Sequence, residues 1–400
     1  MAEWIDYRTA NPARFDRDVI TPIPAASIVP ISAVEHTSLL ESAMTIPACP
    51  YIPEQREDFI AAAREASRKI LSSATRSAAT AVLDSGPGAL LLEHLPVDPG
   101  EPPSPAAGGS LDPGHKSTFV SEFVCVALSV LVDAEIFNFR QEGRGSAPLF
   151  DNVVPIESMR LQRGAGGFAN NFPFHCDSTW HRMRPDYLAL IGVRAAPQAW
   201  TLSCSVVDLV QTETARRMPL ESFRLKPPQL YTQMAEQGIP LGTPEWRMMD
   251  PVDAAATELN VNFNGTDCAD PAAVEWLAEL EELVEARATG CLLGPGNALL
   301  LNNRRVCHTR TGYTPTFGAQ ARWFVRANFK RALWDQLPAD DHHAAPVMRK
   351  NGWLDDAGRL TEAFLPFVEN PARVAGLTGE AKEVAAQALH YTPVPRSRLV

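Results

Sequence analysis

The chain has 400 residues, of which 45% are hydrophobic and 21% are charged, and its formal net charge at pH 7 is −11. This composition excludes wholesale disorder and provides enough apolar residues for one large domain or two ordinary ones. The acidic balance, without a cluster of Lys and Arg, excludes nucleic acid as a favoured partner and serves solubility instead.

No segment of the sequence predicts export or membrane insertion. The first residues, MAEWIDYRTANPARFDRD, lack a basic stretch followed by an apolar one, and no apolar run reaches the roughly 18 residues that span a membrane. The seven cysteines are scattered singly, which indicates reduced thiols rather than a disulfide framework. We therefore expect a cytoplasmic protein.

The N-terminal part predicts helices. Residues 35–82 include REDFIAAAREASRKILSSATRSAATAVL, in which apolar positions recur at three- and four-residue spacing. GALLLEHLPVDP then changes to a short apolar run closed by Pro and Asp, which predicts a strand. A loop rich in Pro and Gly follows, and FVSEFVCVALSVLVDAEI predicts a further helix.

From about Phe137 the pattern changes to short strands separated by turns. The predicted strands are MRLQRGAGG, DYLALIGVR, WTLSCSVVDL, TELNVNFNG, NALLLNNRRVCH and ARWFVRANF. Such a succession favours a sandwich, barrel or jelly roll. One helix interrupts it, DPAAVEWLAELEELVEARATG, which we expect to stop at Gly290, and the C-terminal region predicts two short helices split at Pro371.

Three residues are candidate metal ligands. His175 and Asp177 lie two positions apart in FHCDSTW, ahead of a predicted strand, and His308 follows the predicted strand NALLLNN. An isolated His-x-Asp recurs by chance in many proteins and indicates little by itself. Two histidines and one carboxylate together, however, are the ligand set of non-haem Fe(II) oxygenases.

Two arginines strengthen this interpretation. Arg322 and Arg326 lie in ARWFVR, and positions 322, 324 and 326 of a strand face the same way. Two guanidiniums inside a barrel require anionic partners, because an unpaired buried charge is costly. A 2-oxo acid that chelates iron through its keto oxygen and C1 carboxylate leaves a distal carboxylate, for which Arg322 is a fork-shaped donor.

Four blocks of the sequence resemble the clavaminate synthase-like branch of Fe(II)/2-oxoglutarate oxygenases, which also contains hydroxylases of free Arg and Asn. The blocks are GALLLEHLPVDP, RQEGRGSAPLFDNVVP, FHCDSTWHRMRPDYLALIGVR and LLGPGNALLLNNRRVCHTRTGYTPTFGAQARWFVR. The resemblance implies an α+β fold whose double-stranded β-helix (jelly-roll) core is flanked by helices. We expect a helical N-terminal region at 1–85, an oxygenase core at 86–330 with a helical insert near 270–290, and a C-terminal extension at 331–400.

The resemblance also implies roles for individual residues. The three candidate ligands match the iron ligands of the family. Arg322 matches the residue that binds the C5 carboxylate of 2-oxoglutarate, and Ser203, with Thr201 as its rival, falls where the family often has a Thr on this carboxylate. The carboxylate ligand is Asp177 where many members use Glu, and its presence argues against halogenation, because halogenating relatives replace it with a small residue.

Five further residues are substrate-binding candidates by the same resemblance. Arg326 matches an Arg that binds the α-carboxylate of the amino acid, and Gln141 or Glu142 falls near a residue that receives its amine. Asn260 and Asn262 occupy the region where arginine hydroxylases carry acidic residues. We therefore expect a substrate with a neutral side chain, or one whose cation is met elsewhere.

The predicted function is that of an Fe(II)- and 2-oxoglutarate-dependent dioxygenase that uses O2 to hydroxylate a free L-amino acid or a derivative near C3, in specialised metabolism such as antibiotic biosynthesis. Desaturation, cyclisation and a carrier-tethered aminoacyl substrate stay open. The rivals are a metal-dependent hydrolase and a non-catalytic cupin-like binding protein, which leave the two arginines unexplained. The expected partner is a small amino-acid-like molecule, with no nucleic acid and no membrane, and a homo-oligomer is left open.

Overall fold

The structure is a computed structural model, and it describes residues 4–12, 20–138, 148–179, 184–219, 222–226, 258–331, 344–356, 360–369 and 371–390. These residues form a mixed α+β fold. Their helices are α1 (Tyr7–Ala10), α2 (Ala33–Thr45), α3 (Pro53–Ile70), α4 (Ser73–Thr80), α5 (Val120–Leu131), α6 (Val206–Leu209), α7 (Glu213–Arg216), α8 (Pro271–Arg287), α9 (Ala344–Lys350), α10 (Leu365–Glu369) and α11 (Gly379–His390). Their strands are β1 (Ile5–Asp6), β2 (Thr21–Pro22), β3 (Ile28–Pro30), β4 (Ala89–Glu93), β5 (Glu135–Phe137), β6 (Asp151–Val153), β7 (Tyr187–Arg194), β8 (Trp200–Ser205), β9 (Phe223–Leu225), β10 (Thr266–Cys268), β11 (Thr289–Leu292), β12 (Ala298–Asn302), β13 (Val306–Arg310) and β14 (Trp323–Lys330).

The strands form a large, a small and a three-stranded sheet. The large sheet has the order β3-β4-β12-β7-β14-β5, and β6 also pairs with β14. The small sheet has the order β13-β8-β11-β2, and the third has the order β1-β10-β9. The apolar runs ALLLE and ALLLN form β4 and β12, with Leu90 opposite Leu300. Such continuous apolar strands are typical of a sheet that is covered on both faces.

The large and small sheets face each other across a shared apolar cluster. This cluster joins Leu91, Leu190 and Leu299 of the large sheet with Cys291 and Val306 of the small sheet. Since neighbouring side chains of a strand point to opposite faces, the alternate positions of both sheets point outward. Ser203 and His308 lie on the inner face of the small sheet, because their strand neighbours Leu202 and Cys307 pack outward.

Helices cover the two outer faces. Leu300 and Val325 of the large sheet pack in one cluster with side chains of α2, α3 and α5. Leu202 and Cys307 of the small sheet pack with side chains of α8, including Leu277. The continuous apolar strands β4 and β12 are therefore explained by two separate apolar layers, one on each face of the large sheet.

Most of the predicted elements are confirmed, and five details are wrong. The described residues of TELNVNFNG form isolated β-bridges rather than a strand, and the VVDL of WTLSCSVVDL forms α6. The helices within 35–82, the strand in GALLLEHL and the helical insert are present. MRLQRGAGG is not a strand: its first residue, Met159, ends a short 3₁₀ turn (Glu157–Met159), and the rest is turn and loop. The insert ends at Arg287, and Gly290 lies in β11, where an added Cβ would clash with Leu202. The predicted helix after Phe119 ends at Leu131, and β5 follows it.

The first 30 residues also contain β1, β2 and β3, which join three different sheets. Strands of two or three residues are too short to leave a periodic pattern, which is why the sequence predicted only helices here. In the C-terminal part, Trp353, Phe364 and Val384 belong to an apolar cluster that contains no side chain of the sheets among the described residues. The boundaries of the three predicted regions stay a prediction.

Of the helices in the described part of the chain, none combines the length and the apolar character that crossing a membrane requires.

Candidate metal centre and active site

The three predicted metal ligands lie together on the inner face of the small sheet. His308 belongs to β13, and the segment that carries His175 pairs with it through two backbone hydrogen bonds. The His175 N–H donates to the His308 carbonyl at 3.0 Å, and the His308 N–H donates to the His175 carbonyl at 2.8 Å. Asp177 lies two residues after His175, so that its side chain points to the same side of the chain as the His175 ring.

Their ligand atoms converge on one point. Nε2 of His175 lies 3.3 Å from Oδ1 of Asp177, and Nε2 of His308 lies 3.9 Å from the same oxygen. One candidate ligand atom from each residue lies within 4.8 Å of the other two, and all three residues are buried. Two imidazole nitrogens and one carboxylate oxygen in such a cluster fit a divalent transition metal and leave its remaining positions open.

The protonation states suit metal binding. Nδ1 of His175 lies 2.9 Å from the Pro173 carbonyl, and a hydrogen bond there keeps the proton on Nδ1 and the Nε2 lone pair available. Burial, and then the neighbouring His175, lower the pKa of His308 to about 3, so that this ring is neutral at pH 7. Although burial opposes it, Arg326 and the two histidines hold the pKa of Asp177 below its usual range.

Asn303 fixes the backbone of the carboxylate ligand. Its side-chain oxygen accepts a hydrogen bond from the Asp177 N–H at 2.7 Å, and its Nδ2 donates to the Asp177 carbonyl at 3.0 Å and to the Pro185 carbonyl at 3.0 Å. Asn303 is buried. Asn303 was not among the predicted site residues, although it lies in the NNRR run that carried the family resemblance.

Arg322 is a buried cation among aromatic rings. Its guanidinium lies 4.6 Å from the centre of the Phe324 ring and 5.8 Å from that of Tyr313. Burial lowers the pKa of Arg322, against the influence of Tyr313, but an arginine stays charged at neutral pH. No carboxylate of the described residues forms an ion pair with it, so its charge is left for a bound anion.

A second arginine lies beside it. The guanidinium of Arg310 is 5.4 Å from the centre of the same Tyr313 ring, and it donates to the Thr311 carbonyl at 2.7 Å. Burial, and then Arg322, lower the pKa of Arg310 to about 10. Two buried positive groups around one ring make this end of the site strongly favourable for an anion.

Ser203 and Thr201 lie on β8, on the inner face of the small sheet. Ser203 is opposite His308, and Thr201 is opposite Arg310, in the pairing of β8 with β13. Both are buried. On the inner face, Ser203 therefore lies next to the metal ligand His308, and Thr201 lies next to Arg310.

Arg326 occupies a different environment from Arg322. Its Nη2 lies 2.6 Å from Oδ2 of Asp151, and its Nη1 lies 3.5 Å from Oδ2 of Asp177. Arg326 thus reaches the metal ligands directly, as its predicted contact with the substrate requires. Asp151 had not been singled out from the sequence.

The remaining substrate candidates are placed as follows. Nδ2 of Asn260 donates to the Thr179 carbonyl at 3.4 Å, and its buried Oδ1 has no hydrogen-bond partner among the described residues. Asn262 forms a backbone bridge with His175, and its Oδ1 accepts a hydrogen bond from the Asn264 N–H. Gln141 and Glu142 lie outside the described residues.

Comparisons with known proteins add to this geometry. No protein-family model matches the chain. An L-asparagine oxygenase from Streptomyces coelicolor is 29% identical over 304 residues, which cover 71% of this chain and 85% of that protein. Clavaminate synthase 2 from Streptomyces clavuligerus is 27% identical over 252 residues, which cover 60% of this chain and 73% of that protein.

A solved structure has the same fold. Asparagine oxygenase in complex with Fe(II), 2S,3S-3-hydroxyasparagine and succinate matches with a TM-score of 0.65 at 24% sequence identity, over 83% of this chain and 98% of that one. A histidine pair and a carboxylate between the sheets of this fold define the class of non-haem iron oxygenases. Taken with the two sequence relatives, the fold and the geometry of the site match the clavaminate synthase-like family of Fe(II)/2-oxoglutarate-dependent oxygenases.

Replacing Asn303 tests whether its hydrogen bonds to the Asp177 backbone hold this metal ligand in position. We expect Asn303→Ala to raise the Fe(II) dissociation constant about 10- to 100-fold, because the backbone of Asp177 loses the groups that fix it. Anaerobic titration with Fe(II) measures this constant. Asn170→Ala is the matched control, since Asn170 donates only to the Leu161 carbonyl in an exposed loop. Equal iron affinity in the two variants would contradict the assignment.

Proposed function

We propose that this chain is an Fe(II)- and 2-oxoglutarate-dependent oxygenase that hydroxylates a free L-amino acid near C3, and that its two facing sheets are a double-stranded β-helix. The observation that carries the proposal is the convergence of His175, Asp177 and His308, together with a buried Arg322 that forms no ion pair with a carboxylate of the described residues. The relatives support the reaction class, since they are named as an L-asparagine oxygenase and a clavaminate synthase.

His175, Asp177 and His308 would hold the iron. When bound, Fe(II) together with 2-oxoglutarate and O2 supplies an oxidant strong enough for an unactivated C–H bond, while 2-oxoglutarate becomes succinate and CO2. The protein contributes three prepared ligand atoms and a site between two apolar layers. The neutral His308 and the ionised Asp177 need no change of protonation state at pH 7.

Arg322 would bind the C5 carboxylate of 2-oxoglutarate. A buried guanidinium without a counter-ion is costly, and a dicarboxylic co-substrate neutralises it through two parallel hydrogen bonds. Ser203 or Thr201 would donate a further hydrogen bond, because both lie on the inner face between the metal ligands and the arginines. Selection of a 2-oxo acid with a distal carboxylate follows from this arrangement.

Arg326 would bind the substrate carboxylate. Because Arg326 contacts Asp177, a carboxylate bound to it would bring the α-end of an amino acid next to the iron, and the C–H bonds closest to the metal would be those near C3. This fits the product named in the related structure, 3-hydroxyasparagine.

Asn260 would face the substrate side chain. Its buried Oδ1 lacks a partner among the described residues, and such an amide oxygen is satisfied by an N–H donor of a ligand. A neutral amide donor, such as that of asparagine or glutamine, suits it better than a full cation, which would require a carboxylate. A metal-dependent hydrolase or a cupin-like binding protein would give neither Arg322 nor Asn260 a ligand.

The role of Arg322 can be tested with two co-substrates. The Fe(II)-loaded protein should form a metal-to-ligand charge-transfer band with 2-oxoglutarate in the absence of O2. Arg322→Gln should weaken 2-oxoglutarate binding about 10- to 100-fold, because a charge-assisted hydrogen-bond pair is lost. With 2-oxobutanoate, which chelates equally but has no distal carboxylate, wild type and variant should bind with similar weak affinity. A variant that weakens both co-substrates to the same extent would refute the assignment.

The neutral-side-chain prediction can be tested at Asn260. Asn260→Asp should shift the binding preference from L-asparagine towards L-ornithine and L-arginine by about 10-fold, because a carboxylate then meets the cation. The perturbation of the same band by each amino acid measures binding. Asn264→Asp adds the same charge at an exposed position and should leave the preference unchanged. A wild type that already prefers the basic amino acids would overturn the prediction.

A further inference from the structure

Trp323 follows Arg322 directly in the chain, at an irregular place in the large sheet. In the pairing of β14 with β7, Trp323 is opposite Arg194. The next residue, Phe324, is opposite Gly192, so that the register shifts by one residue between them. A β-bulge of this kind interrupts the regular hydrogen bonds between two strands and redirects the side chains beside it. Strand pairing alone therefore does not fix the direction of the Arg322 side chain, and other contacts are needed.

The Trp323 side chain provides such a contact on the outer face of the large sheet. Trp323 is fully buried in the outer apolar cluster, and its Nε1 donates to Oδ1 of Asn152 at 2.9 Å. Arg322 points to the inner face, where its guanidinium lies 4.6 Å from the centre of the Phe324 ring. Because adjacent residues of a strand point to opposite faces, an anchor on the Trp323 ring also limits how the backbone of Arg322 can rotate.

Asn152 connects Trp323 to a chain of buried hydrogen bonds, which we call the outer-face chain. Nδ2 of Asn152 donates to the Tyr51 hydroxyl at 3.0 Å, and this hydroxyl donates to Oε1 of Glu122 at 2.6 Å. Asn152 and Glu122 are fully buried, as Trp323 is. Since each group donates to the next, the hydrogen bonds polarise one another in one direction, and each is strengthened.

Glu122 anchors the far end of the outer-face chain. Nζ of Lys116 donates to both oxygens of this carboxylate, at 2.8 and 3.1 Å, and to Oδ2 of Asp98 at 2.8 Å. Glu122 lies in the first turn of α5, and Asp98 accepts hydrogen bonds from the first two backbone N–H groups of the same helix. Burial, and then Glu122, raise the pKa of Tyr51 well above its usual range, so that its hydroxyl stays a donor. The chain thus joins the beginning of β14 to the beginning of α5.

We propose that Trp323 positions Arg322 from the opposite face of the sheet. Its hydrogen bond to Asn152, supported by the rest of the outer-face chain, holds the beginning of β14 and thereby directs the guanidinium towards the carboxylate that it binds. The inference rests on the proposed function, in which that carboxylate is the C5 group of 2-oxoglutarate. Two parallel hydrogen bonds between a guanidinium and a carboxylate require a matched orientation of the two planes, so that a small rotation weakens both.

The test compares two buried tyrosine hydroxyls. Tyr51→Phe removes the hydroxyl that joins Asn152 to Glu122. Tyr187→Phe is the matched control, because it removes a hydroxyl that donates to Asp84 at 2.5 Å on the same face of the large sheet. Binding of 2-oxoglutarate and of 2-oxobutanoate to each Fe(II)-loaded protein is measured without O2 from the charge-transfer band, and thermal unfolding is recorded in parallel.

Tyr51→Phe should weaken 2-oxoglutarate about 3- to 10-fold, because a misdirected guanidinium loses part of its contact with the distal carboxylate. Its affinity for 2-oxobutanoate, which lacks that carboxylate, should equal that of wild type. Tyr187→Phe should lower the unfolding temperature comparably and leave the ratio of the two affinities unchanged, which separates the direction of Arg322 from a general loss of stability. Added to Arg322→Gln, Tyr51→Phe should cause no further loss, because it acts only through this arginine.

Asn152→Ala removes the partner of Trp323 itself and should change the ratio in the same direction by a larger factor. Tyr51→Phe preserves the shape of the core and decides the test by itself if Asn152→Ala does not fold.

Two results would overturn the inference. One is a Tyr51→Phe variant whose ratio of affinities for the two co-substrates equals that of wild type or of Tyr187→Phe. The other is a loss of 2-oxoglutarate affinity that adds fully to that of Arg322→Gln, which would mean that the outer-face chain acts elsewhere. If Arg322→Gln itself weakens both co-substrates alike, the proposed function of this arginine fails, and this inference fails with it.

Discussion

Two backbone hydrogen bonds between His175 and His308 support the rest of the site. They join a loop to β13, so that two histidines far apart in the chain present their rings 4.4 Å apart, centre to centre. Asn303 then fixes the backbone of Asp177, and the third ligand atom meets the other two. Because these contacts are made by main chain and by buried amides, they fix the three ligand residues relative to one another.

Arg322 and Arg326 have different surroundings, and we infer that they bind different ligands. Arg322 is buried among aromatic rings without a carboxylate of the described residues, which makes it a receptor for one anionic group in a place of low dielectric. Arg326 is held between Asp151 and Asp177 and is partly exposed, which suits a ligand that carries both signs of charge. One strand and the residue before it thus carry two arginines that differ in burial and in partners.

Local patterns were sufficient for part of this account. The short apolar strands and the helical insert follow from local apolar patterns, and the ligand set follows from residue type and order, because both depend on short segments of the sequence. The clamp of Asn303, the pairing of Asp151 with Arg326 and the position of Arg310 beside Tyr313 depend on strands that meet across long stretches of chain. The spacing of residues in the sequence does not reveal such contacts, since the register of strand pairing is set by tertiary packing.

The most direct measurement is the product of turnover under oxygen-18 gas. The iron-loaded protein would be supplied with 2-oxoglutarate and each proteinogenic L-amino acid, and succinate and the amino acid would be quantified by mass spectrometry. The account predicts that one amino acid gains a hydroxyl group at C3 that carries the oxygen-18 label, with one succinate formed for each hydroxylated molecule. Succinate formation that no free amino acid stimulates, or a hydroxyl oxygen derived entirely from water, would contradict it.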